Sequence, residues 1–140
     1  MTSAFLCLAT AVYFEARSEP LLGQFAVAEV IVNRAESDRF PDTICGVVTQ
    51  DLGPAPYDCQ FSFYCDGKPE VMSEKAAWER AKAVARDVLN TPDAPDVSGG
   101  ALFYHTTGVS PRWSRNMEIV ASYGKHVFFS DEVILADTGV

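Results

Sequence analysis

The segment SAFLCLATAVYFEARSEP (residues 3–20) predicts a mostly apolar helix that ends in charged residues. Ser3 is a suitable N-cap, and we expect the helix to run from residue 4 to about residue 17. One face carries three apolar residues at helical spacing, Leu8, Ala11 and Val12. Glu15 continues that apolar face in the last turn. Pro20 disfavours a helical backbone at the residue before it, so the chain must turn there.

The rest of the chain predicts further helices and then strands. We expect helices over residues 22–37, 43–50 and 74–90, the last capped by Ser73. We expect strands over residues 60–64, 101–105 and 127–130. This order indicates an α+β fold, mainly helical with a small β region, in a single domain over residues 1–140.

Length and composition exclude several classes of protein. The chain has 140 residues, of which 48% are hydrophobic and 21% charged, as in an ordinary globular domain. Its net charge is −8, with 19 acidic and 11 basic residues, so we expect no nucleic acid as a partner. No apolar run approaches the roughly 18 residues that a membrane span requires. Residues 1–16 lack a basic start and do not predict a secretion signal.

The four cysteines favour disulfide bonds. They contain no Cys-x-x-Cys pair and match no zinc-binding spacing. Cys59 and Cys65 bracket a predicted hairpin closely enough to pair, and a bond between Cys7 and Cys45 would tie the first helix to the segment after the second. We therefore expect these two pairs and a location in the periplasm, the extracellular space or the cell envelope. Crossed pairings, and buried free thiols in a cytosolic protein, are the alternatives.

Glu15 is the strongest candidate for chemistry. Burial and the negative end of the helix dipole both disfavour the carboxylate, so we expect a raised pKa. A carboxyl group that stays protonated near neutral pH is suited to general acid catalysis. The structural alternative is a glutamate at the helix edge that pairs with Arg17 or a nearby lysine.

Several short motifs follow one another along the chain: YFEARSEP (13–20), VNR (32–34), FPDTICGVV (40–48), CQFS (59–62), GGALFYH (99–105) and GKHVF (124–128). Together they resemble the SleB/CwlJ-type cell wall hydrolases, which include the spore-cortex-lytic enzymes. The resemblance implies a lysozyme-like α+β domain that acts on peptidoglycan, with Glu15 of the Glu-Ala-Arg motif as the acid/base. Ser18 stands where the usual motif has glycine, so this turn must avoid a left-handed backbone or accept modest strain.

The implied reaction is cleavage of the glycan strand between N-acetylmuramic acid and N-acetylglucosamine. A hydrolytic glycosidase needs two carboxylates. A lytic transglycosylase needs one, which protonates the glycosidic oxygen and deprotonates the muramyl C6 hydroxyl to give a 1,6-anhydro product. We favour the second mechanism because the resemblance supplies one carboxylate, Glu15. Candidates for a second carboxylate are Glu19, Glu29, Asp51, Asp58 and Asp66. A hydrolytic muramidase or glucosaminidase, and a non-catalytic peptidoglycan-binding module, are the alternatives.

The residues expected to bind the glycan share polar or aromatic character: Glu19, Gln60, Ser62, Tyr104, His105 and Trp113. Period-2 alternation would place Gln60 and Ser62 on one polar face of a strand, beside Glu15 or facing solvent. The aromatic side chains would serve as platforms for sugar rings. Glu19 would lie near Glu15 or in an exposed loop.

Two further kinds of chemistry are disfavoured. A nucleophilic pair of Cys59 and His105 is not expected, because Cys65 offers Cys59 a disulfide partner. No group of His, Asp and Glu residues has metal-ligand spacing, so we expect no metal and no cofactor. Nothing in the sequence suggests an obligate dimer, and we expect a monomer.

Overall fold

The computed structural model describes residues 3–133, which form helices followed by a small sheet. The helices are α1 (Ala4–Ala16), α2 (Leu21–Glu36), α3 (Ile44–Val48) and α4 (Lys75–Asn90). The strands are β1 (Phe103–Thr106), β2 (Met117–Tyr123) and β3 (His126–Val133). Single 3₁₀ turns occupy Ser62–Cys65 and Arg112–Asn116. The predicted α+β fold is confirmed. None of the helices between residues 3 and 133 is long and apolar enough to cross a membrane.

α1 is the central helix because it is apolar on nearly all sides. Its residues 7–13 and Ala16 are buried. Ser3 caps the helix as predicted, since its side-chain oxygen accepts a hydrogen bond from the Leu6 N–H at 3.1 Å. A helix that is apolar all round must be covered on all sides, and α2, α3 and α4 pack around it.

The turn after α1 delivers the chain directly into α2. The Glu19 N–H donates to the Ala16 carbonyl at 2.9 Å, and Pro20 then precedes the first residue of α2. Ser18 does not have a positive φ, since Tyr57, at 67°, is the non-glycine residue that does among the described residues. Ser18 therefore fits this turn without a left-handed backbone, and the serine in place of glycine carries no strain of that kind.

Both predicted disulfide bonds are present. Cys7 pairs with Cys45 at a Cα–Cα distance of 5.3 Å and ties α1 to α3 across a separation of 38 residues. Cys59 pairs with Cys65 at a Cα–Cα distance of 6.0 Å and closes a short loop. The described residues contain no free cysteine.

The sheet is antiparallel, with β3 between β1 and β2. Tyr104 of β1 lies opposite Phe128 of β3, and Tyr123 of β2 lies opposite His126 of β3. Gly124 makes the tight turn between β2 and β3 with a φ of 55°. An added Cβ at this position would lie 2.6 Å from Pro20 Cδ, so the turn packs directly on the start of α2.

The strand predicted over residues 60–64 is wrong. The Tyr64 N–H donates to the Phe61 carbonyl at 3.1 Å, which is the bonding of a 3₁₀ turn rather than of a strand. Phe61 and Phe63 are buried while Ser62 and Tyr64 are exposed. The alternation in the sequence is real, but it arises from an irregular loop that inserts two aromatic rings into the core.

Other boundaries differ from the sequence-based expectation. β2 was not predicted, because its alternation is weak and its pairing with β3 is irregular around Ile119. α4 begins at Lys75 with Glu74 at the N-cap position and without a side-chain capping bond, so Ser73 is not the cap. Thr43 caps α3, since its hydroxyl oxygen accepts from the Gly46 N–H at 2.9 Å.

Candidate active site

Glu15 lies half-buried in the last turn of α1, facing the sheet. The Tyr104 hydroxyl on β1 donates a hydrogen bond to Glu15 Oε1 at 2.5 Å. Burial raises the pKa of Glu15, while the Tyr104 hydrogen bond and the positive charge of Arg34 oppose that rise. The predicted direction of the pKa shift therefore agrees with the structure. Arg17 does not neutralise Glu15, because its side chain pairs with Glu74.

Arg34 is a buried cation that supports this site. Its side chain is 3% exposed, and its Nε donates to the Leu102 carbonyl at 2.7 Å. Three aromatic rings surround its guanidinium, at centroid distances of 4.9 Å for Phe40, 5.6 Å for Phe61 and 5.5 Å for Phe103. Such contacts hold a desolvated guanidinium in place. Arg34 thus supplies a fixed positive charge near Glu15.

The role of Arg34 is not among the sequence-based predictions. The available signal was its position on the buried face of α2, three residues after Ile31 and seven after Val27. A charged residue on such a face requires a partner. The partners of Arg34 lie up to 69 residues away along the sequence, at Phe103. Helical spacing alone does not identify such distant partners.

Tyr104 lies on the face of β1 that points toward Glu15. Its ring packs on Phe128 at 5.5 Å and on His126 at 5.0 Å. Burial and the Glu15 carboxyl raise the pKa of Tyr104 well above its ordinary value. The hydroxyl therefore stays protonated and remains a hydrogen-bond donor to Glu15.

Glu19 is not exposed, and its contacts hold the β2–β3 turn. Its side chain is 8% exposed, and its Oε1 accepts from the Lys125 N–H at 2.8 Å. His126 Nδ1 lies 3.6 Å from the same oxygen. Burial lowers the pKa of His126, and the Glu19 charge opposes that shift. Glu19 thereby fixes the hairpin whose His126 ring packs against Tyr104.

Gln60 and Ser62 lie in the disulfide-closed loop rather than on a strand. Gln60 is half-buried and Ser62 is exposed. The loop approaches the Glu15 helix through Phe63, which stacks on Phe14 of α1 at 5.0 Å. Gln60 and Ser62 are thus near the helix that carries Glu15, on a segment whose backbone differs from the prediction.

His105 and Trp113 lie on the other side of β1 from Tyr104. The His105 ring stacks on Phe129 at 5.0 Å and meets the edge of Trp113 at 5.6 Å. Trp113 also packs on Phe103 at 5.5 Å. The predicted aromatic set is therefore divided, with Tyr104 beside Glu15 and the other two on the opposite face.

The structure bears on the nucleophilic pair of Cys59 and His105, which the sequence disfavours. Cys59 is bonded to Cys65, so it offers no thiol to His105. Across residues 3–133, no group of three or more His, Cys, Asp or Glu side chains is arranged to hold a metal ion.

The fold is similar to the solved catalytic domains of two bacterial proteins. The catalytic domain of the Bacillus cereus SleB protein superposes with a TM-score of 0.69 at 33% identity, covering 91% of this chain and 89% of that one. The catalytic domain of the germination-specific lytic transglycosylase SleB from Bacillus anthracis superposes with a TM-score of 0.72 at 33% identity, covering 93% and 96%.

The sequence comparisons identify the family. The family described as Cell Wall Hydrolase matches residues 18–129, and the chain belongs to that family. The spore cortex-lytic enzyme of Halalkalibacterium halodurans is 36% identical over 124 residues, which are 86% of this chain and 33% of that protein. The spore cortex-lytic enzyme of Bacillus subtilis is 36% identical over 123 residues, 86% of this chain and 35% of that protein. The chain thus spans about a third of the length of these curated relatives. The resemblance inferred from the motifs is confirmed.

Proposed function

We propose that the chain is a lytic transglycosylase that cleaves peptidoglycan glycan strands between N-acetylmuramic acid and N-acetylglucosamine, with Glu15 as its single acid/base. The observation that carries the proposal is the half-buried Glu15 carboxyl, held by the Tyr104 hydroxyl close to the buried charge of Arg34. The Bacillus anthracis catalytic domain of similar fold is named a germination-specific lytic transglycosylase, which supports this choice. The disulfides and the substrate favour action in the cell envelope.

In the proposed reaction, Glu15 acts first as an acid and then as a base. It donates its proton to the glycosidic oxygen as the bond from that oxygen to muramyl C1 breaks. The resulting Glu15 carboxylate takes the proton of the muramyl C6 hydroxyl, whose oxygen forms the new bond to C1. The products are a 1,6-anhydro-muramyl end and a new hydroxyl on the leaving sugar, and the carboxyl returns to its protonated form.

The surroundings of Glu15 suit both steps. Burial keeps the carboxyl protonated for the first step by raising its pKa. The Tyr104 hydroxyl and Arg34 stabilise the carboxylate that exists between the two steps. Gln60 and Ser62 remain proposed contacts of the glycan near this helix. Glu19, whose side chain is 8% exposed, would act on the glycan only through the β2–β3 turn that it holds. His105 and Trp113 would contact the glycan only where the strand passes the far side of β1.

The other candidate carboxylates have structural contacts of their own, which favours a single-carboxylate mechanism. Each accepts hydrogen bonds from backbone N–H groups: Glu19 from Lys125, Glu29 from Val97, Asp51 from Gly53, Asp58 from Ala55 and Asp66 from Lys68. A hydrolase would need one of them on the opposite side of the glycosidic bond from Glu15, and these contacts assign each of them a structural role instead.

Mass spectrometry of muropeptides released from purified sacculi tests the proposal. We expect anhydro-muramyl ends, and we expect the Glu15→Gln variant to fold normally and lose at least about a hundredfold in rate. Glu118→Gln is the matched control, because Glu118 is exposed on β2.

Three outcomes would overturn parts of the proposal. Reducing muramic acid or glucosamine ends would indicate a hydrolase. Wild-type protein that binds sacculi without releasing fragments would indicate a binding module. A Glu15→Gln variant with a near-normal rate would remove Glu15 from the mechanism.

A further inference from the structure

A groove of about 990 Å³ lies on the opposite side of α2 from Arg34. It is bounded by α2, residues 42–44 at the start of α3, the C-terminal part of α4 and residues 91–97, and we call it the α2–α4 groove. Glu15, Tyr104 and Arg34 do not line it. It is therefore separate from the candidate active site.

The α2–α4 groove has a largely apolar lining. Aliphatic and aromatic side chains come from every bounding element: Leu22, Phe25, Val32, Ile44, Val88, Leu89 and Val97. Leu22 is 52% exposed, which is a large apolar surface to leave in water. An apolar groove of this size is suited to the side chains of a docked segment.

The charged side chains that line the groove are all acidic. They come from each bounding element: Glu29 and Glu36 on α2, Asp42 before α3, Asp87 on α4 and Asp96 in the loop. Among the described residues that line the groove, none is Lys, Arg or His. The groove therefore combines an apolar surface with an unbalanced negative charge.

Glu29 and Asp96 show how strongly negative this environment is. The Val97 N–H donates to Glu29 Oε2 at 2.9 Å, which holds the loop against α2. Burial and the neighbouring Asp96 raise the pKa of Glu29 to about 8. Hydrogen bonds from Glu29, Ser98 and Asn33 outweigh burial and lower the pKa of Asp96. The arrangement therefore favours a protonated Glu29 beside an ionised Asp96.

We propose that the α2–α4 groove docks a peptide segment of a partner protein that presents Lys or Arg side chains next to aliphatic ones. The aliphatic side chains would cover the apolar lining, and the cations would face carboxylates that have no positive partner within the groove. An acidic segment would be repelled by the same carboxylates. This docking role goes beyond glycan cleavage and does not depend on it.

Fluorescence anisotropy tests the docking with labelled peptides of defined chemistry. The probe is a peptide of repeated Lys-Leu-Leu-Lys, compared with repeats of Glu-Leu-Leu-Glu and of Lys-Ser-Ser-Lys. We expect the first to bind at least about tenfold more tightly than either of the others, a difference of about 1.4 kcal/mol. Equal binding of the Lys-Ser-Ser-Lys repeat would show attraction to net charge alone and overturn the proposal, as would a failure of the first peptide to bind.

Paired charge reversals locate the binding. We expect Glu36→Lys with Asp87→Lys to weaken binding at least about tenfold, because both side chains are exposed at the groove. Glu70→Lys with Glu118→Lys is the matched control, with the same change of net charge at exposed positions outside the groove. Equal losses in the two double variants would overturn the proposal. Release of muropeptides is measured in parallel, so that a failure of docking is distinguished from a failure of catalysis.

Proton release gives a second, independent measurement. A docked cation near Glu29 would favour its ionised form, so binding near neutral pH should release a proton. Calorimetry in two buffers of different ionisation enthalpy detects that proton. We expect Glu29→Gln to bind the Lys-Leu-Leu-Lys probe without proton release. Proton release that persists unchanged in Glu29→Gln would place the peptide elsewhere and overturn the proposal.

Discussion

Replacing Tyr104 with phenylalanine tests the electrostatic balance at Glu15. The variant keeps the ring that packs on His126 and Phe128 but removes the hydroxyl that donates to Glu15 Oε1. That hydrogen bond favours the carboxylate, so its removal should raise the pKa of Glu15 further.

The size of the effect follows from the type of bond. A hydrogen bond to a charged group contributes about 1.5–3 kcal/mol. Glu15 is half-buried, so solvent replaces part of the lost contact and the lower end of that range applies. This corresponds to about a tenfold change in the ionisation equilibrium of Glu15. The acid form of Glu15 should therefore persist to higher pH in Tyr104→Phe than in the wild-type protein.

Two measurements check this expectation. The first is the pH dependence of muropeptide release, whose alkaline limb should move to higher pH in Tyr104→Phe while the maximal rate falls. The second is carbon NMR of the glutamate carboxyl groups, with Glu15→Gln used to assign the Glu15 resonance. Tyr123→Phe is the matched control, because the Tyr123 hydroxyl donates to the Val97 carbonyl at 2.8 Å and does not contact Glu15. An alkaline limb that stays in place, or moves to lower pH, would refute the reasoning.

Two further predictions concern stability. Glu29 has a folded-state pKa of about 8, above its unfolded value of 4.5, so its contribution to stability is complete below about pH 4.5 and is lost as the pH rises through 8. Relative to Glu29→Gln, the wild-type protein should therefore lose about 1–2 kcal/mol of unfolding free energy between pH 4.5 and pH 8, after discounting for solvent screening. Urea denaturation of both proteins measures this loss. A difference in unfolding free energy between the two proteins that stays constant with pH would contradict the prediction. Replacing Cys7 and Cys45 with serine should cost about 3–4 kcal/mol, more than removing the bond between Cys59 and Cys65, because the closed loop is longer. Thermal unfolding of the two double variants compares them, and equal losses would count against loop length as the cause.

The helices could be predicted because their signals are local. A serine cap, a continuous apolar face and a proline after the helix end predict α1, and all of them lie within residues 3–20. The disulfide between Cys7 and Cys45 could be predicted for a related reason, since it joins two helices whose positions were already expected.

The strands were harder to predict because their stability comes from partners. β2 carries no clear alternation, and its place in the sheet depends on β3. The loop around Phe61 and Phe63 shows the opposite error, in which a clear alternation belongs to no strand. Pairing with the neighbouring strand β3 sets the backbone of β2, and packing of Phe63 on α1 sets that of the loop; a sequence pattern of period two reports neither.

The sequence predicts Glu15 as the central residue of the candidate site, but it does not predict the contacts that surround Glu15. Glu15 could be identified from its position in α1 and from the family resemblance. Tyr104 was expected to be a platform for sugar, whereas its hydroxyl contacts Glu15 across 89 residues of sequence. Arg34 and Glu19 likewise contact segments 68 and 106 residues away, and although the position of Arg34 on the buried face of α2 is a local signal, the partners have none.

The network suggests why one carboxyl could serve both steps of the proposed reaction. A general acid requires an environment that opposes the carboxylate, which burial at the C-terminal end of α1 provides. A general base requires that the same carboxylate, once formed, remain in place and be stabilised. A cation that paired directly with Glu15 would stabilise the carboxylate but would also lower the pKa of Glu15 and favour loss of its proton in the resting state. Arg34 is held away from direct pairing by the Leu102 carbonyl and the surrounding aromatic rings, so its charge acts through space while the Tyr104 hydroxyl makes the contact. Arg34→Lys should therefore slow muropeptide release more than Tyr104→Phe does, because a lysine loses both the fixed geometry and the planar stacking that hold the charge in position.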